Sequence, residues 1–90
     1  MKTKTVYIVM SERYNYGEKH THIVGVYPSM KQAHNVMVRE ARRMFRYDYK
    51  DDPQIDYKLK IDNKFANILN TSDDDSEVVH YHIYKRVMRF

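Results

Sequence analysis

The order of apolar patterns predicts an α+β domain: a single helix packed on one face of a largely antiparallel sheet of four to five strands, ββαββ or ββαβββ. Three observations carry this prediction. Two β-branched and aromatic runs, TVYIVMSER (5–13) and HTHIVGVY (20–27), lie close enough together near the start to form a hairpin. One stretch only, from Met30 to about Tyr47, repeats its apolar residues at helical spacing. The remainder of the chain, from Ile55 onward, alternates or is rich in strand formers. One helix covers one face of such a sheet, so the other face is left open.

Taken in order, the first strand puts Val6, Ile8 and Met10 on one face, read as the core face, and Tyr7 and Val9 on the other. YNYGEK (14–19) contains Gly17 and reads as a loop. In the second strand Val24 and Val26 read as core. Pro28 and Ser29 end that strand, and Ser29 followed by Gln32 forms a capping box that starts the helix. At about 100° per residue, Met30, Ala33, Met37, Ala41, Met44 and Phe45 fall on one side and should cover the sheet. DYKDDPQ (48–54) is a loop. IDYKLKID (55–62) alternates with Ile55, Tyr57, Leu59 and Ile61 inward. NKFANILN (63–70) continues or restarts a strand, with a bulge or bend near Asn63. TSDDDSE (71–77) is a solvated turn, and VVHYHIYKRVMRF (78–90) is the last strand. There Val79, Tyr81, Ile83 and Val87 form the apolar set, and His80, His82, Tyr84 and Arg86 point to the open face.

Length and composition narrow the class. Ninety residues make one domain, 1–90, with a modest core. There is no cysteine, hence no disulfide, thiolate nucleophile or cysteine zinc site. No apolar run approaches the roughly 20 residues that span a bilayer, and MKTKT leads straight into a strand without a signal-type apolar segment. The reading is a complete, soluble, cytoplasmic protein without a membrane partner. Sixteen basic against twelve acidic side chains give +4, unevenly: residues 1–50 hold ten basic and four acidic groups. That imbalance points to an anionic partner for the first half, unless the charges neutralise one another in space.

Candidate chemistry is sparse. Two His-x-His pairs, His20/His22 and His80/His82, could offer four imidazoles to a metal if neighbouring strands brought them together. If Val24 and Val26 are core, however, His20 and His22 start on the helix side while His80 and His82 face outward. Two glycines cannot build a phosphate loop, and DDD at 73–75 lacks the spacing and distal Glu of a calcium loop. No serine has a convincing His and acid set around it. The expectation is a protein that is not an enzyme, with no metal and no cofactor.

Two surfaces remain. Arg39, Arg42, Arg43 and Arg46 follow i, i+3, i+4, i+7 spacing opposite the Met and Ala stripe, and Lys50 extends the row. Arginine forks match phosphate or carboxylate geometry; the plainer alternative is a solvated face neutralised by Asp48, Asp51 and Asp52. The open sheet face, expected to show Tyr7, Val9, Tyr27, His80, His82 and Tyr84, could stack bases or meet a protein. A homodimer is one outcome, with the last strand as its main contributor and Tyr7, Tyr27, His82, Tyr84 and Arg86 near the contact. Lys85, Arg86 and Arg89 oppose it as charges that guard an edge strand.

VYIV at 6–9 together with IVGVYPSMKQA at 23–33 resembles short bacteriophage and mobile-element proteins that open V-Y-x-V and continue G-V-Y, a Ser or Thr cap and an Ala-bearing helix. The resemblance covers about residues 5–45 and implies a ββα start. It also implies a class: a small non-enzymatic protein that modulates a host protein as inhibitor or adaptor, with anti-defence proteins such as anti-CRISPRs among them. Nucleic acid bound through the arginine face is the competing reading.

Overall fold

A computed structural model describes residues 2–15 and 17–89. In chain order it contains β1 (Thr3–Asn15), β2 (Glu18–Tyr27), α1 (Met30–Met44), a π-helical turn (Phe45–Tyr49), β3 (Tyr57–Ile61), β4 (Phe65–Asn70) and β5 (Ser76–Arg89). The strands form one antiparallel sheet in the order β2-β1-β5-β4-β3, and α1 lies across one face of it. This is the α+β arrangement that the patterns predict, with five strands. The expected positions of Tyr16 and Phe90 lie outside the described residues.

Local chemistry accounts for the element ends. Ser29 is extended, and its Oγ accepts from the Gln32 backbone N–H at 3.2 Å, filling one of the helix's free first-turn donors. Asp52 Oδ1 accepts from the N–H groups of Gln54 (2.8 Å) and Ile55 (3.0 Å), which shapes the loop at Pro53. Asp62 N–H donates to Phe65 O at 2.8 Å. Residues 63–70 therefore restart as a separate strand after a tight turn, and no bulge forms at Asn63. The loop expected at 14–19 is shorter than its composition indicates. Asn15 pairs with Glu18, and Gly17 supplies a φ of +81° that most side chains resist.

The core lies between α1 and the middle of the sheet. Ala33, Met37 and Ala41 are fully buried, and they pack with Val9, Ala66, Ile68, Val79, Tyr81 and Ile83. Met30, Met44 and Phe45 flank them, so the whole predicted stripe faces inward. Alanine at both neighbouring i±4 positions brings the helix close to the sheet and leaves Met37 as its one large plug.

The helix does not stop near Tyr47. Lys50 N–H donates to Phe45 O at 2.7 Å, closing a wider turn through Phe45–Tyr49. Successive i, i+4 positions drift by about 40° around an α-helix, and one wider turn offsets that drift. Tyr49 is thereby buried, edge-on to Tyr57 at 4.8 Å, with the Arg13 guanidinium 5.8 Å from its ring centre.

Several facing assignments change. Val9 is fully buried and Tyr7 packs on the core, whereas Ile8 and Met10 pair with Tyr84 and His82 on the uncovered face. Val6 is buried as expected, but the facing of Tyr7 to Met10 is the reverse of the prediction, because VYIVM is apolar on both faces and only its register with β5 chooses between them. Tyr27 likewise packs on the core side. Val26 is exposed, and Val87 is exposed because β5 runs on beyond the helix. β5 is also the central strand, flanked by β1 and β4 as far as His82, and only its last residues lack a neighbour on the β4 side. Past Tyr27 and Phe65, β1 and β5 continue alone as a two-stranded ribbon, and the molecule measures 55 × 24 × 19 Å.

Gly25 has a packing role. The Tyr27 ring folds back over it, so a Cβ there would sit 2.6 Å from Cζ and 2.8 Å from Cε2 of Tyr27. Gly25→Ala should push the ring off the core and cost about 1–3 kcal/mol, the usual range for overpacking. Urea denaturation checks this, and the double variant Gly25→Ala/Tyr27→Ala should lose less than the sum of the two single changes.

Candidate functional site: two faces of one sheet

The histidine pairs occupy opposite faces. His22 pairs with Ser11 and His20 with Arg13, and those residues pair in turn with Tyr81 and Val79 of the core side. His80 and His82 pair with Asn67 and Phe65 on the uncovered side. The register between β1 and β2 shifts at Val9/Met10, which leaves Val24 as the extra residue of a bulge. Without that bulge, Val26 on the outer face would carry His22 and His20 onto the same side as His80 and His82. Among the described residues, no cluster of three or more His, Asp or Glu is placed to hold a metal ion.

On the uncovered face His80, His82 and Tyr84 form a row of rings along β5, with Phe65 of β4 beside it. Phe65 and His80 lie 6.3 Å apart, His80 and His82 5.6 Å, and His82 and Tyr84 4.5 Å, between ring centres. His80 Nδ1 lies against Asn67 Oδ1 and 3.1 Å from Glu77 Oε1. With a carboxylate oxygen on that side, Nδ1 carries the proton and donates. Burial, helped by the neighbouring His80, holds His82 below the usual histidine range. Burial also pushes the Tyr81 hydroxyl up to about 12, so it stays protonated within the core.

The sign of the His82 effect is definite. A histidine whose pKa is depressed on folding stabilises fully above its unfolded value near 6.5, and that contribution is lost as pH falls through the folded value. The midpoint of urea unfolding should therefore drop between about pH 7.5 and 5, and it should drop less in His82→Gln. Equal pH slopes for both proteins would refute this.

The second face is the outside of the helix. His34, Val38, Arg39, Arg42, Arg43, Arg46 and Tyr47 line a shallow groove of about 720 Å³. All four arginines are exposed. Among the described residues, none of them has a carboxylate within ion-pair distance; the pairs that form are Lys19–Glu12, His20–Glu18, Lys58–Asp75 and His80–Glu77. Asp48, Asp51 and Asp52 form no ion pair with the row, although Glu40 and Asp48 border a second depression beside Arg43. Lys50 is exposed beyond the π turn and does not line the groove.

Of the residues expected at an interface, His82, Tyr84 and Arg86 share the uncovered face, while Tyr7 and Tyr27 lie on the other. Sequence reasoning missed His34 and Tyr47 on the groove, and Phe65, Asn67 and Lys60 on the sheet. The helical period could have found the first two; the last three need the β3-β4-β5 register.

Fold and surfaces together define an α+β protein with one helix on a five-stranded antiparallel sheet, cationic on its helix face and aromatic on its bare face. Comparison with protein families, characterised proteins and solved structures finds no match for this chain. Among the described residues, no helix is long and apolar enough to cross a membrane.

Proposed function

We propose that the chain is a non-enzymatic binding protein whose arginine-lined helix face takes a polyanion, with nucleic acid as the partner. One observation carries this reading. Arg39, Arg42, Arg43 and Arg46 converge on one groove with no acidic partner in ion-pair distance among the described residues. Four like charges on two turns of helix repel one another, and phosphates relieve that repulsion while matching the guanidinium fork. Anisotropy of a labelled duplex oligonucleotide tests it. Affinity should fall with salt at a log–log slope of about −3 to −4, the value for three to four neutralised phosphates. No binding at about 50 mM salt, where such contacts are strongest, would overturn it.

A second reading rests on a different observation. Ile23, Val26, Tyr84 and Met88 are all large, exposed and on the uncovered sheet face, the kind of surface that protein partners cover. Together with the phage-type resemblance, this supports a modulator of a host protein. Affinity capture from host lysate separates the readings: a specific partner retained by an Arg→Glu variant, without any oligonucleotide binding, favours the modulator.

A further inference from the structure

We propose that the uncovered sheet face is a second binding surface, for unpaired nucleic-acid strands, with bases stacking along Phe65, His80, His82 and Tyr84. The proposal goes beyond the helix-face reading and does not rest on it. His80, His82 and Tyr84 follow one another along β5 with Phe65 of β4 beside them, and all four are only partly buried or exposed. Their spacing of 4.5–6.3 Å exceeds the roughly 3.4 Å rise per nucleotide of a duplex strand. It suits a stretched strand whose bases are free to stack; in a duplex those base faces are hidden. Aromatic stacking of this kind tolerates any base sequence.

Charge decides between occupants. Near Tyr84, where β4 ends, a concavity of about 400 Å³ opens at the sheet edge, bordered by Lys64, His82 and Tyr84 and, from the helix side, by Tyr7, Met30, Ile83 and Lys85. Arg86 comes next after Tyr84 on the uncovered face by strand alternation, and Lys60 reaches that face beside Asn67. Among the described residues, the cations of this face, Lys60, Lys64 and Arg86, make no ion pair. Acids that reach this face are already paired: Glu12 with Lys19 at 3.4 Å, Glu77 with His80 at 3.1 Å and Asp75 with Lys58 at 3.7 Å. A two-fold copy would press these cations against their own equivalents, whereas a phosphate backbone complements them. The backbone adds donors there. Ile83 N–H donates to Lys64 O at 3.0 Å, and β4 then ends, so the outward N–H groups of Lys85 and Val87 have no neighbouring strand.

The test uses the full chain, a labelled single-stranded thymidine oligonucleotide of about a dozen nucleotides, which spans one such site, and a duplex of equal length. Tyr84 is exposed, so Tyr84→Ala should leave the fold intact, as circular dichroism checks. It should weaken single-strand binding about 5- to 150-fold, the range for one lost stacking ring, and leave duplex binding unchanged. Tyr84→Phe should retain single-strand binding. The quadruple Arg→Glu helix variant should lose the duplex yet keep its sensitivity to Tyr84→Ala on the single strand. Unchanged single-strand affinity in Tyr84→Ala, or an equal loss on the duplex, overturns the proposal. So does a mass by light scattering near twice 11.0 kDa that Tyr84→Ala halves, since a second copy would then cover the face. A host protein captured by the wild type and released by Tyr84→Ala, with no single-strand binding, overturns it too.

Discussion

Met37→Ala should remove about 2–5 kcal/mol of stability, the range for truncating a large buried side chain to alanine. Met37 is fully buried and is among the largest such side chains in the protein. Its neighbours along the helix stripe, Ala33 and Ala41, are equally buried and too small to fill the vacated space. The surrounding core consists of strand residues fixed by ladder hydrogen bonds, so the cavity cannot collapse freely. A domain of this size has a total stability of only about 5–13 kcal/mol, so roughly a seventh at the least is at stake. Each kcal/mol shifts the midpoint by about 4–8 °C in domains of this length; thermal melting should move down by at least about 8 °C. Met37→Leu, which conserves volume, should cost less than about 1.5 kcal/mol. If both variants melt like the wild type, α1 is not the lid of this core.

The second large effect concerns the helix face. Replacing Arg39, Arg42, Arg43 and Arg46 by glutamate changes the formal charge of +4 by eight units, to about −4 under the same pairing-free count. None of the four has an ion-pair partner among the described residues, so no internal pair is broken. All are exposed, and surface changes of this kind usually alter stability little. Duplex affinity should fall at least about 100-fold at low salt, because three or four phosphate contacts become repulsions. The salt slope should flatten towards zero with it. A variant that melts like the wild type and still binds the duplex with the original slope would move the polyanion site elsewhere.

The sequence by itself determined the element order, the helix start at Ser29 and the helix's inner stripe, because each depends on neighbours within a turn or two. Ser29 finds its partner three residues away, and the Met and Ala stripe needs only the helical period. The arginine row was legible for the same reason. Spacing could place the four side chains on one face; it could not show that Asp48, Asp51 and Asp52 stay out of ion-pair range. That depends on the course of the π turn and the loop after it.

Only the tertiary structure decided which way each strand faces. VYIVM is apolar on both sides, and pairing with β5 buried Val9 and turned Ile8 and Met10 outward. The extra residue at Val24 separates His20 and His22 from His80 and His82, and a bulge of this kind depends on the partner strand. The aromatic row needs Phe65 opposite His82, 17 positions away in the chain. A one-residue slip in any of these ladders would send every later side chain of that strand to the other face, and no local pattern holds that information.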